Sequence, residues 1–276
     1  MQLRFSKMHG LGNDFVVVDC LSQSVNLQPR QIRNIANRRT GIGCDQLLLV
    51  EPPRQPDVDF HYRIFNQDGS EAEQCGNGAR CFARFVADHK LSGKSTLRIS
   101  TNTGVIGVTR HAGNEYSVDM GMPDFEPASI PLEAEANQEV YEFDTALGPQ
   151  QLSAVSMGNP HAVLLVDSID TAAVNELGPV LEAHGRFPQR ANVGFMEIVD
   201  RDHIRLRVYE RGVGETQACG TGACAAVAVG IRRGLLDESV SVALTGGKLL
   251  IEWKGPGHSL VMTGPASNVF DGKISI

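Results

Sequence analysis

Shifted by 144 residues, the 276-residue chain sets "FHYRIFNQDGSEAEQCGNGA" (60–79) over "IRLRVYERGVGETQACGTGA" (204–223) without a gap. Six of the twenty positions are identical: Arg63/Arg207, Glu71/Glu215, Cys75/Cys219, Gly76/Gly220, Gly78/Gly222 and Ala79/Ala223. A second echo, "GNDFVVVD" (12–19) and "GNPHAVLLVD" (158–167), lies upstream at a shift of 146. Two echoes in the same order at nearly the same offset read as an internal duplication, so one fold must serve both halves.

Each copy has the same grammar. Residues 60–65 and 204–209 alternate apolar with polar, which predicts half-buried strands. A Gly-containing loop follows, then Cys-Gly-x-Gly-Ala, then a helix. The first helix carries Ala79, Phe82, Ala83, Phe85 and Val86 and stops near Lys90–Gly93. The second runs from Ala223 to Ile231 and stops at Arg232, Arg233 and Gly234, a basic last turn with a glycine behind it. It has no polar face, so it must be buried all round. Short Val- and Ile-rich segments at 15–19, 46–50, 96–100, 162–166 and 249–253 supply strands to curl around each helix. The sequence therefore predicts an α+β fold of two pseudo-symmetric domains. One covers 1–119, with 266–276 returning to it, and the other covers 120–265. The Pro-bearing "MGMPDFEPASIP" (120–131) makes the crossing.

Composition excludes several classes. The chain is 42% hydrophobic and 21% charged, with a net charge of −7. It has no basic stripe of the kind a nucleic-acid binder shows. The first ten residues hold no apolar signal core, and the charge-free run Thr216–Ile231 is too short and too rich in Gly and Ala to span a membrane. A cytoplasmic protein with reduced cysteines is expected.

Cys20, Cys44, Cys81 and Cys224 read as packing residues, the usual place of a buried thiol. Cys75 and Cys219 differ, because the duplication puts each at the start of a helix, just before backbone expected to need glycine. Unpaired N–H groups and the positive end of the helix dipole favour an anion there. They seat a carboxylate and can draw a thiol pKa into the range of about 3.5–7.5. Metal-ligand spacing and a C-x-x-C motif are absent, so no metal is expected. One thiol from each related half suits racemisation at a carbon bearing hydrogen. One group removes the proton from one face while the other delivers a proton to the opposite face. No lysine stands in a pyridoxal setting, and the Gly-x-Gly loops are not a Walker loop or a dinucleotide fingerprint. No cofactor is expected.

The segments "KMHGLGNDFVVVD", "GIGCDQLL", "FNQDGSEAEQCGNGARC", "SMGNPHAV", "YERGVGETQACGTGA" and "FDGKI" together resemble the bacterial diaminopimelate epimerases, essentially end to end. The resemblance implies two domains, each a β-barrel wrapped around a central helix, with the active site in the cleft between them. It implies cofactor-independent interconversion of LL- and meso-diaminopimelate, on the route to lysine and peptidoglycan, by a homodimer. Position by position, Cys75 and Cys219 match the acid/base cysteines. Gly76–Asn77 and Gly220–Thr221 match the backbone that grips the reacting carboxylate. Asn13, Gln46, Asn66, Asn159, Asn192, Glu210 and Arg211 match substrate contacts, and His161 with Glu210 matches the groups that modulate the thiols. Taken alone, the asparagines and glutamines read as turn residues, and Glu210–Arg211 as a surface ion pair of small energetic value. The family commonly carries Tyr where this chain has Phe270, so the hydroxyl contact between subunits cannot form.

Two rival readings use the same thiols. A proline or hydroxyproline epimerase would not need Glu210, Arg211 and three asparagines for a distal amino-acid head. A redox or binding protein would join Cys75 and Cys219 in a regulated disulfide.

Overall fold

The computed structural model describes residues 2–72 and 75–276. The chain divides into two compact units, one of residues 1–119 and 263–276 and one of residues 120–262.

The first unit runs β1 (Gln2–Gly10), β2 (Asn13–Asp19), α1 (Pro29–Ala36), β3 (Gln46–Glu51), β4 (Phe60–Asn66), β5 (Glu71–Ala72), α2 (Gly76–Asp88), β6 (Thr96–Ser100), β7 (Val105–Arg110) and β8 (Glu115–Asp119). The second runs β9 (Tyr141–Thr145), β10 (Gly148–Ser156), β11 (Pro160–Leu165), α3 (Val174–Glu182), β12 (Asn192–Asp200), β13 (His203–Glu210), β14 (Gly214–Thr216), α4 (Gly220–Arg232), β15 (Ser239–Leu244) and β16 (Gly247–Glu252). Then β17 (Val261–Pro265) leads into β18 (Ser267–Ser275), which pairs antiparallel with β1.

The duplication is visible in the pairing. β2 and β3 run parallel across α1, as β11 and β12 do across α3. β4 and β6 run parallel across α2, as β13 and β15 do across α4. These crossovers bury each central helix on one face of its sheet. Two of the six repeat identities now have a cause. Arg63 grips Glu71 at 2.7 Å and Arg207 grips Glu215 at 2.6 Å, the same clamp on the hairpin before each central helix.

Among the described residues the sheet does not close into the barrel that the resemblance implied. In the first unit β4 divides one edge between β5, at Ile64–Phe65, and β6, at Phe60–His61, so the ladder forks. A second departure lies in the same strand. Alternation predicted one wet face for 60–65, yet β4 is buried at all but Arg63 and Asn66. Phe60 and Tyr62 set their rings edge-on to Phe82 of α2, at 5.9 and 5.4 Å between centroids. On the opposite face Phe65 joins Val16, Val18, Leu47 and Leu49 against Ile32 and Ile35 of α1. Helices cover the sheet on both sides there, which is why β2 and β3 read as continuous apolar runs. In the second unit β13 keeps its alternation, because Arg205 and Arg207 take its outer face and pair with Asp170 and Glu215.

Helix α4 is buried from Gly220 to Gly230 except at Thr221, as its composition requires. It stops at Gly234, whose φ of +68° favours glycine while Leu235 N–H returns to the Gly230 carbonyl. Lys90 does the same for α2 at φ +55°. Among the described residues no helix is long and apolar enough to cross a membrane.

Candidate active site

Both singled-out cysteines are N-caps: Cys75 of α2 and Cys219 of α4, each with extended backbone. The glycines behind them were expected to supply unusual backbone. Gly78 and Gly222 are instead absent from the left-handed region, and their role is space. A Cβ on Gly78 would lie 2.5 Å from the Tyr62 hydroxyl, and one on Gly222 would lie 3.0 Å from Val208 Cγ2. Glycine lets the helix start sink onto the strand beneath it, which buries the backbone donors of its first turn.

In the first unit the site residues begin or end strands. Asn13 opens β2, Gln46 opens β3 and Asn66 closes β4. Gln46 Nε2 donates to Asn66 Oδ1 at 3.0 Å, across a β3–β4 pair. The Cys75 thiol donates to Asn13 Oδ1 at 3.6 Å, and Asn77 Nδ2 donates to the same oxygen at 3.2 Å. Behind Asn13 stands a charge cluster that sequence reasoning missed. Asp14 takes Lys7 at 2.6 Å and Arg38 at 2.7 Å, and Arg38 also holds Asp45 at 2.7 Å. Burial pushes the Asp14 carboxyl up, but the hydrogen bonds of Arg38 and Lys7 together with the Lys7 charge outweigh it and hold it well below the usual carboxylate range. Arg80 of α2 was missed too. It is fully buried, and its Nη2 donates to Asn77 Oδ1 at 3.0 Å. An arginine set between Ala79 and Cys81 in the first turns of the helix was the available signal.

The second unit repeats the plan with other side chains. Asn159 precedes β11, Asn192 opens β12 and Glu210 closes β13. At shifts of 146 and 144 these correspond to Asn13, Gln46 and Asn66, and Thr221 corresponds to Asn77. His161 Nε2 lies 2.9 Å from Asn159 Oδ1, while Asn159 Nδ2 faces Thr221 Oγ1 at 3.5 Å. Asn192 Oδ1 accepts the Arg211 backbone N–H at 3.0 Å, and the exposed Arg211 guanidinium reaches the Gln189 carbonyl at 3.1 Å. Glu210 accepts from Thr216 Oγ1 at 2.5 Å. Glu182, the last residue of α3, was missed because nothing in its neighbourhood marks it. It is buried, and its Oε1 accepts the Gly212 N–H at 2.9 Å and Arg190 Nη1 at 3.1 Å. The C-terminal end of a helix is the unfavourable end for an anion, yet here the carboxylate pins the turn after Glu210–Arg211.

The expectation that the helix start would lower the thiol pKa fails at Cys219. Gly222 N–H does donate to its sulfur at 3.3 Å. Burial, reinforced by the neighbouring Glu210 carboxylate, nevertheless raises the thiol well above its ordinary value. Desolvation of a fully buried thiolate exceeds what one backbone donor returns, so Cys219 stands here as an acid carrying its proton. Burial likewise pushes Cys20, Cys44 and Cys81 up to about 12, in keeping with packing roles. The turn reading of the asparagines also stands beside the site reading. Asn66 N–H bonds to the Ser70 carbonyl across a turn, and Gly12 and Gly158 hold left-handed turns directly before Asn13 and Asn159.

The chain's two-unit fold, with a thiol at the start of each central helix, is shared in architecture by solved structures. A hydroxyproline epimerase from Agrobacterium vitis, with bound trans-4-hydroxy-L-proline, matches at a TM-score of 0.73 and 14% identity, over 99% of this chain and 92% of that one. A probable proline racemase from Agrobacterium radiobacter K84, with bound carbonate, matches at 0.72 and 17%, over 99% and 93%. A phenazine biosynthesis protein of the PhzF family from Bacillus anthracis matches at 0.69 and 16%, over the whole of both chains. The family model of diaminopimelate epimerase matches residues 5–126 and 153–269, and the chain belongs to that family. It is an isomerase of the epimerase type.

Proposed function

We propose that the protein interconverts LL- and meso-diaminopimelate with Cys75 and Cys219 as a two-base pair. The observation that carries this is the placement of one thiol at the N-cap of each central helix, in a chain of the diaminopimelate epimerase family. One thiolate takes the α-proton and becomes a thiol. The other thiol gives its proton to the opposite face of the carbon and becomes a thiolate, so the proton count balances and the reverse reaction swaps the roles. No cofactor enters the scheme. The backbone donors of Gly76–Asn77 and Gly220–Thr221 hold the carboxylate of the reacting centre and spread the charge that develops beside it.

Substrate choice rests on the inequality of the halves. Where the first unit has Asn66–Gln67, the second has Glu210–Arg211. Arg211 offers an exposed cation suited to a substrate whose far end bears its own carboxylate, whereas proline has no such end. Asn13, Gln46, Asn66, Asn159 and Asn192 supply amide contacts to the ammonium and carboxylate groups. His161, bonded to Asn159, and Glu210, beside Cys219, tune the second thiol. The same reading makes the protein a cytoplasmic homodimer, in which half-exposed Phe270 meets Phe5 edge-on rather than offering a hydroxyl.

The test is uptake of deuterium at the α-carbon in heavy water under reducing conditions, with LL-diaminopimelate and L-proline as substrates. Exchange and inversion of diaminopimelate are expected, with Cys75→Ser and Cys219→Ser each abolishing turnover in a folded protein. Turnover of proline alone would overturn the substrate, and near-normal activity in either serine variant would overturn the two-base scheme.

A further inference from the structure

We propose that Asp45 is a positioning residue that turns the Asn13 amide so that its carbonyl, and not its NH2, meets the Cys75 thiol. The Asp45 carboxylate accepts Asn13 Nδ2 at 3.0 Å and the Asp14 backbone N–H at 3.0 Å. A carboxylate has no proton to give, so only the NH2 end of the amide can face it. The carbonyl end is then left for the Cys75 S–H and for Asn77 Nδ2. Asp45 is itself fixed on three sides. Arg38 Nη2 holds its other oxygen at 2.7 Å, and its backbone N–H reaches both the Asp14 carbonyl at 2.9 Å and Asp14 Oδ1 at 2.8 Å.

The other unit points its amide the opposite way. The Asn159 carbonyl meets His161 Nε2, and its NH2 turns toward Thr221. A carbonyl beside the Cys75 sulfur favours its protonated thiol, whereas the Asn159 amide turns to Thr221 Oγ1. The duplicated halves thus carry one amide each, aimed in opposite senses by an anion in one and an imidazole in the other.

Tyrosine, thiol and charged groups also stand around Cys75. Tyr62 donates to the Cys75 carbonyl at 3.5 Å, and Cys81 lies on the same helix. Burial raises the tyrosine well above its ordinary value and the Cys81 thiol to about 12. Arg80 donates to Asn77, and behind Asn13 the Asp14–Arg38 pair holds the carboxyl down and the guanidinium up, so both keep their charge.

The inference rests on the proposed function only for its consequence in turnover, so its test uses no substrate. Alkylation of Cys75 by iodoacetamide is followed by peptide mass from pH 6 to 9.5. Asp45→Ala releases the amide, and Cys75 should react about fivefold faster at pH 7, the effect of one hydrogen bond gained by the thiolate. Asp45→Asn keeps an acceptor and should return most of the wild-type profile. In an Asn13→Leu background Asp45→Ala should add nothing. Asp45→Ser, which shortens the acceptor and leaves Arg38 paired to Asp14, serves if Asp45→Ala does not fold. An unchanged Cys75 rate, an effect that persists without Asn13, or equal acceleration at Cys219 would each overturn the proposal. None of these outcomes bears on which amino acid the enzyme inverts.

Discussion

His161 should make the second unit acid-sensitive in a way that one substitution removes. The imidazole is 1% exposed, and burial, with the positive charge of Arg211 behind it, lowers its pKa from 6.5 to about 3. The folded protein therefore binds that proton only near pH 3, whereas the unfolded chain binds it near 6.5. Between those values the unfolded state carries more protons, so stability falls as the pH falls, by up to about 1.4 kcal/mol per pH unit. Above pH 6.5 both states are neutral and the group contributes no slope. From pH 7.5 to 5.0 the loss sums to about 2 kcal/mol. His161→Gln keeps a side-chain N–H for Asn159 and cannot titrate. Urea unfolding of the two proteins at both pH values isolates the difference, because every other titrating group is common to them. Wild type should lose about 2 kcal/mol more than the variant. Equal losses would mean that the folded imidazole accepts its proton at an ordinary pH, which would refute the desolvation argument.

Gly78→Ala should lower the stability of the first unit by about 1–3 kcal/mol, the usual cost of overpacking, because the new Cβ meets the Tyr62 hydroxyl. Thermal melting of Gly78→Ala alone and with Tyr62→Phe checks this, and the second change should recover part of the loss. Glu182→Ala should cost about 0.5–1.5 kcal/mol, the net worth of the hydrogen bond from the exposed Gly212 N–H. It should also raise KM for diaminopimelate more than it lowers kcat, since the turn it loosens carries Arg211 rather than a reacting thiol; steady-state kinetics would show the split.

The duplication, the two central helices and the cysteines that open them were legible because each leaves a local mark: an offset, a run of small apolar residues, a glycine pair. The double burial of β4 was not, since Phe65 looks the same in a sequence whether α1 covers it or water does. Asp45 and Asp14 could not be told from ordinary loop acids, because nothing in the local sequence pairs them with Lys7 and Arg38, and only the pairing of β1, β2 and β3 gathers the four. The direction of the Cys219 shift was misread for a related reason. A helix start is visible in sequence, but the depth at which it is buried depends on the strands beneath it. Asn13, Gln46, Asn66, Asn192 and Glu210 sit at strand ends, where the duplication itself fixes the spacing.

The pairing of β1 with β18 has a consequence in time. Strand β1 lies between β2 and β18, and Phe5 packs where Gly272 leaves room, a Cβ there coming within 2.6 Å of its ring. During synthesis the second unit is made in full before β18 leaves the ribosome. At about 5–20 residues per second, translating Met120–Met262 takes roughly 7–29 seconds, during which one edge of β1 waits for its partner. An open strand edge is a template for other chains. Nascent first units are thus exposed to mispairing with one another for as long as the second unit takes to be translated.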